Sequence, residues 1–274
     1  MFKKNSLLLL GIFLIIDVIY WLRIGGSNTV IIRDTAYLLT PLIATIAGIF
    51  SIRLYGLQGP RTKTLFLLTI GVGCWFAGES IFYSYEFIFH TNPFPSVADV
   101  FYLIAYPVLF SALFNEIRQI KINWKKIHPS IIFLFVISAI ALGLLVLYFG
   151  VYLAYDSHET FFTNLIALGY GVGDLFLIIV DICVLILAWE FREGSFSYLW
   201  IQLFISFIFM LVADVLFAIF TSQYKAEVWF YRSLLDSLWM IAYLLFANGL
   251  FSFGFSIRDA KSQMQSVPLS GKKK

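Results

Sequence analysis

Eight apolar runs, each about the 20 residues a helix needs to cross a bilayer, leave this chain little else to fold into. They cover roughly 6–24, 30–51, 64–87, 97–117, 129–154, 161–189, 197–221 and 234–255. The stretches between them are short, so no separate soluble domain fits. In hydrocarbon every backbone polar group needs an internal partner, and runs of this length satisfy that as helices. Composition agrees: 61% of the residues are hydrophobic and 13% charged, with mean hydropathy +0.89, far from a soluble domain. The expected fold is all-α, a polytopic membrane protein of eight transmembrane helices with the lipid bilayer as its first partner.

Lys and Arg set the orientation. With both ends inside, fifteen of the 19 basic residues fall in the N-terminal segment, the 2–3, 4–5 and 6–7 connections or the C-terminal tail. Arg23, Arg33, Lys225 and Arg232 fall on the other side. This bias predicts a multi-pass protein of the cell membrane with both termini cytoplasmic. Lys3 and Lys4 before an apolar run outline a signal peptide, but no small-residue cleavage site follows Ile16 and Asp17 interrupts the run. The first helix is expected to stay. Cys74 and Cys183 read as small apolar fillers on separate spans. The net charge of +3 reflects the basic loops and implies no nucleic acid partner.

The chain also repeats. Ser96-x-x-Asp99-x-x-Tyr102-x-Ile104-Ala105-Tyr106 recurs 137 positions on as Ser233-x-x-Asp236-x-x-Trp239-x-Ile241-Ala242-Tyr243. Glu79-x-x-Phe82 recurs as Asp214-x-x-Phe217 at an offset of 135. Two matches at consistent offsets point to duplication. Residues 1–127 are read as a first four-helix repeat, 128–255 as a second, and 256–274 as a basic cytoplasmic tail. Four spans per half makes the repeats parallel, related by an axis along the membrane normal, with ligand sites expected at their interface.

Asp17, Glu79, Asp174, Asp181 and Asp214 lie within apolar runs, and Asp236 near the start of the last. A carboxylate at that depth is protonated, paired or turned to a polar cavity. Helical spacing puts Trp75, Glu79, Phe82 or Tyr83, and Glu86 on one face, Tyr170, Asp174 and Asp181 on another. Asp99, Tyr102 and Tyr106 share a third, and Arg232, Asp236, Trp239 and Tyr243 a fourth. The candidate ligand-binding set is Glu79, Tyr83, Tyr170, Asp174, Asp214, Asp236, Trp239 and Tyr243, around an outward-facing cavity. The same residues could instead form an interhelical network that holds helices together, and both readings stand at this point. Ser96 and Ser233 are placed as N-caps of spans 4 and 8, with Asp99 and Asp236 at capping-box spacing. Ser96, Asp99 and Ser233 are therefore read as helix caps or ligands. Arg232, one turn before Asp236, offers an ion pair.

His90, His128 and His158 are scattered without ligand spacing, so no metal site is expected. The spans lack lysine, and no nucleotide loop or nucleophile elbow occurs; no cofactor and no catalytic residue are assigned. Gly169-x-x-x-Gly173 reads first as a close-packing face. Gly171-Val-Gly173-Asp174 is also the G-x-G-D string of intramembrane aspartyl proteases, whose chemistry needs a second aspartate on a neighbouring helix.

Gly78-Glu79, Pro93-x-Pro95-Ser96-x-Ala98-Asp99-x-x-Tyr102-Leu103-x-x-Tyr106-Pro107, Gly173-Asp174, Ala213-Asp214 and Asp236-x-x-Trp239-x-x-Ala242-Tyr243 carry a family resemblance. Together they resemble the multi-helix N-terminal membrane modules joined to bacterial diguanylate cyclases and to bacterial and archaeal sensor histidine kinases. The resemblance covers spans 2–8, and Pro-Ser-x-Ala-Asp is its most specific part. It implies an input module for an unknown ligand, here without an output domain, which would signal through a separate cytoplasmic signalling protein. The leading expectation is thus a sensor-like module whose polar cavity binds a small ligand or cation. A proton- or cation-coupled secondary transporter is the alternative, and an intramembrane aspartyl protease a minor one.

Overall fold

The computed structural model describes residues 2–24, 29–91, 93–119, 129–153, 155, 157, 159–188 and 195–266. Among them every regular element is helical: α1 Phe2–Leu22, α2 Thr29–Tyr55, α3 Thr62–Phe87, α4 Val97–Gln119, α5 Pro129–Leu145, α6 Phe161–Ala188, α7 Ser195–Lys225 and α8 Trp229–Ser266. Seven of these are long and apolar enough to cross a membrane, and α1 contributes a shorter apolar stretch, Leu8–Leu22. Large apolar side chains such as Ile15, Ile70, Phe133 and Phe176 stand at least half exposed on the outside, a surface that lipid rather than water would cover. The protein is a multi-pass membrane protein.

Six helices close into a ring. α2 packs on α3, α3 on α4, α4 on α6, α6 on α7, α7 on α8, and α8 returns to α2. The other two stand outside it, α1 against α8 and α2, α5 against α6. Small residues allow the closest approaches within the ring. A Cβ on Gly173 would lie 2.6 Å from the Tyr106 ring, and one on Gly169 would lie 3.1 Å from Leu103. The small-residue stripe therefore seats α6 on α4. In α2, Pro41 has no N–H to give the Tyr37 carbonyl; the Thr40 hydroxyl donates to it instead at 2.8 Å, so the helix continues.

Connections α3–α4, α5–α6 and α7–α8 share one end of the ring. There Lys225 pairs with Glu159 at 3.2 Å and lies over the Phe94 ring, while Arg23 of the α1–α2 connection lies 4.3 Å from the Trp229 ring centre. At the opposite end Lys261 of α8 donates to the Leu54 carbonyl of α2 at 2.6 Å.

Three boundaries differ from the sequence reading. The run 129–154 leaves α-helical geometry part-way and continues as a π-helical stretch, Val146–Leu153. α8 has 38 residues, roughly 57 Å at about 1.5 Å each, against a hydrocarbon core of about 30 Å. The tail expected from 256 thus begins as helix. α8 also starts earlier than Ser233, which corrects the second capping assignment. α7 ends in a Schellman turn: Glu227 has φ 52°, and the Val228 N–H donates to Gln223 O at 2.9 Å and the Glu227 N–H to Tyr224 O at 3.0 Å. That turn lets α8 begin at Trp229, so Ser233 falls inside the helix, fully buried, with its hydroxyl unpartnered. Asn92, Lys121, Lys125, Lys126, His128, His158, Arg192 and Lys272 to Lys274 lie outside the described residues.

Candidate functional site

α4 opens with the reciprocal capping box that its sequence spells. Ser96 Oγ accepts from the Ala98 N–H at 3.2 Å, and Asp99 Oδ2 accepts from the Ser96 N–H at 2.5 Å. The second Asp99 oxygen accepts from the Tyr170 hydroxyl of α6. Cap and cross-helix tie are thus the same side chain.

Deeper in the ring two acids face shared space. Glu79 on α3 accepts at Oε1 from Tyr37 of α2 at 2.8 Å and from Tyr243 of α8 at 2.8 Å, with Tyr102 of α4 beside it. Asp214 on α7 accepts from Tyr106 of α4 at 3.1 Å and from the Trp239 indole of α8 at 2.7 Å. Every donor comes from a helix other than the acid's own, so these bonds fix the relative placement of five helices. Trp75 forms the floor, with Tyr106 and Tyr243 edge-on at 6.3 and 6.0 Å between ring centres.

Towards the loop end an ionic layer follows. Arg232 of α8 is buried yet clamps α3 through Glu86 with two bonds of 2.6 and 2.7 Å, and α2 through Asp34 at 2.9 Å. Asp236, one turn on, lies 4.0 Å from it; Asp236 also accepts from Tyr224 at 2.9 Å. Arg33 completes the layer by pairing with Asp34 at 2.7 Å. A bidentate guanidinium–carboxylate pair holds orientation as well as charge, and buried ions survive only when matched in this way.

These side chains surround a cavity of about 90 Å³ whose wall takes residues from all six ring helices. That is several times the roughly 10–15 Å³ a single water needs. It continues at the loop end into a wider space of about 370 Å³ bordered by His90, Lys225 and Glu227. Phe82, Glu86, Phe94, Phe217, Tyr224 and Arg232 border both spaces, so the inner chamber has a mouth at that end.

Of the residues expected from sequence, Glu79, Tyr83, Asp99, Tyr170, Asp214, Asp236, Trp239 and Tyr243 line this cavity. Tyr83 also pairs with Thr35 at 3.1 Å. Asp174 does not reach the wall. It is fully buried behind Asp214 and Tyr106, beside both but without a well-formed hydrogen bond to either. The reason is Gly173, which admits the Tyr106 ring between α4 and α6 and leaves Asp174 behind it. Asp174 and Asp214 therefore form the neighbouring-helix carboxyl pair that the G-x-G-D reading asks for, but one member is sealed off. A hydrolytic pair has to reach water and a peptide with both carboxyls. Asp181 is buried and unpartnered farther along α6, and Asp17 of α1 accepts from Ser237 at 2.6 Å outside the ring.

Sequence reasoning gave Asp34 and Tyr37 no place in the site, and counted Arg33 only as a loop charge. Helical spacing offers a signal for them: Asp34 and Tyr37 sit three apart on one face of the second run, as Glu79 and Phe82 do on the third. Among the described residues no group of three or more His, Cys, Asp or Glu is placed to hold a metal ion, and Cys74 and Cys183 are both free. Searches of family models, curated proteins and solved structures return no match to this chain.

Proposed function

We propose that this protein is a membrane-embedded binding module, sensor-like, whose central cavity takes a small ligand or cation from the extracytoplasmic side. One observation carries the reading: the acids that border the cavity, Glu79 and Asp214, are the acids that tie the ring together through Tyr37, Tyr106, Trp239 and Tyr243. A ligand that engages those carboxylates competes with interhelical bonds, so occupancy and packing are linked. The basic-residue bias supports placing the open end outside, with both termini cytoplasmic in the cell membrane. The packing order supports a parallel duplication. α2–α3–α4 and α6–α7–α8 take equivalent places in the ring, and the pairs Tyr106–Asp214 and Tyr243–Glu79 are equivalent under the sequence offset. The resemblance to cyclase- and kinase-linked modules supplies the signalling role, with a separate cytoplasmic protein as receiver and the α8 extension as its contact.

Purified protein in nanodiscs and in proteoliposomes separates this reading from its rival. Ligand binding without flux is expected; flux of the same ligand would replace the sensor by a transporter. A reporter fused after Lys274 is expected to read cytoplasmic, and an extracytoplasmic signal would overturn the orientation. Proton-coupled transport is the second reading, favoured by Asp174 and Asp181, buried without hydrogen-bond partners on one face of α6. Such acids serve proton relays in pumps and transporters. It requires ligand flux that follows a pH gradient and disappears in Asp181→Asn.

A further inference from the structure

The chemistry of the cavity wall narrows the ligand class. Asp34, Glu79, Glu86, Asp99, Asp214 and Asp236 border it, against one basic residue among its described lining, Arg232. That arginine is already matched by Glu86 and Asp34. An anionic ligand would have to displace one of these partners and meet the remaining carboxylates. A bare metal ion finds no converging ligand group among the described residues. The inner chamber is aromatic: Trp75, Tyr102 and Trp239 join Tyr106 and Tyr243 on its wall. The donors of Tyr37, Tyr106, Trp239 and Tyr243 are spent on Glu79 and Asp214, which leaves mainly ring faces and carboxylate charge as the chamber's recognition surface. Faces of Trp and Tyr around a carboxylate favour a weakly hydrated cation, because the ring quadrupole attracts it where water is scarce.

Resting on the binding reading above, we propose that the ligand is a small organic ammonium ion, its charged head between Glu79 and Asp214 and against Trp75, Tyr102 and Trp239. The rest of the molecule extends past Phe82 and Phe217 into the wider mouth. Methylated and primary ammonium heads share this chemistry, and the size of the inner chamber restricts the head to a few heavy atoms.

Tryptophan fluorescence of the purified full chain tests the proposal, with choline chloride and methylammonium chloride as probes. The uncharged isostere 3,3-dimethyl-1-butanol, sodium acetate and sodium chloride at matched ionic strength complete the panel. A saturable change is expected with one or both ammonium probes and with none of the others. Glu79→Gln, which keeps shape and still accepts from the tyrosines, is expected to weaken it about thirtyfold or more, as for a buried charge losing its partner. Trp239→Leu is expected to weaken it about threefold to thirtyfold. Asp214→Asn provides a second charge variant, and size-exclusion profiles establish that each variant is folded. An equal response to dimethylbutanol or acetate that is lost in the same variants overturns the ammonium class while leaving a binding cavity in place. Ammonium binding that neither charge variant weakens overturns the assigned position. No response to any probe overturns the ammonium class, while the binding reading stands or falls with the nanodisc and proteoliposome experiment.

Discussion

At the end of the ring opposite the mouth Glu116 is fully buried, yet it accepts from Arg61 at 3.0 Å and from Thr64 at 3.3 Å. Nearby Asn248 donates to Gln202 at 3.1 Å and to Tyr198 at 2.8 Å, and Ser51 and Ser206 donate to backbone carbonyls of α8. At the open end Glu79 and Asp214 are equally well bonded, but their partners are bulky aromatic side chains that cannot close on each other, and a cavity remains. The partners at the first end are a mixture, an arginine, a tyrosine, amides, hydroxyls and backbone carbonyls, whereas every donor to Glu79 and Asp214 is a tyrosine or a tryptophan. Polarity alone therefore does not mark a site in such a bundle; the cavity beside the aromatic donors does.

The largest effect that would sharpen this contrast belongs to Arg232. Arg232→Met strips Glu86 of both its ion-pair bonds and leaves Asp34 to Arg33 alone, and stability in detergent is expected to fall by about 3–5 kcal/mol. Adding Glu86→Met should restore part of the loss; a double variant no better than the single would show that charge matching is not what holds the open end. Next comes Gly173→Val, which drives a side chain into the Tyr106 ring and should cost about 1–3 kcal/mol. Gly11, whose Cβ would meet nothing within 4 Å, is the matched control, and Gly11→Ala should leave the melting temperature unchanged or slightly higher. Asp99→Ala removes a capping acceptor and the Tyr170 tie, at an expected cost of about 1 kcal/mol. Ser233→Ala is expected to be near neutral, since the Ser233 hydroxyl has no partner; equal losses for the two would restore a cap at Ser233. The last comparison is at the end opposite the mouth. Asn248→Leu removes two interhelical hydrogen bonds, each worth about 0.6 kcal/mol, so it should cost about 1 kcal/mol and should leave binding at the open end unaltered. A larger loss, or a change in binding, would mean that the two ends are coupled.

Much of the open end was legible beforehand. Glu79, Asp214, Trp239 and Tyr243 announced themselves as polar positions at helical spacing in apolar runs, and Ser96–Asp99 spelled a capping box. Asp174 looked equivalent to them by every local criterion, yet α6 packs so closely on α4 that Tyr106 screens it from the cavity. Ser233 carried the same local pattern as Ser96, but capping depends on where the helix begins. That was settled upstream by the turn at Glu227. Asp34 was overlooked because the partner that ties it across helices, Arg232, stands 198 residues away.

Length and apolarity by themselves determined the helices, because a backbone in hydrocarbon has no other way to satisfy its N–H and C=O groups. They did not determine which faces meet. In a soluble bundle the apolar stripe identifies the inside, but in lipid both faces are apolar, and association rests on close packing and a few polar contacts. The order of the ring, the cavity at its open end and the exclusion of Asp174 were therefore decided by side-chain volumes meeting across helices, which only the tertiary structure brings together.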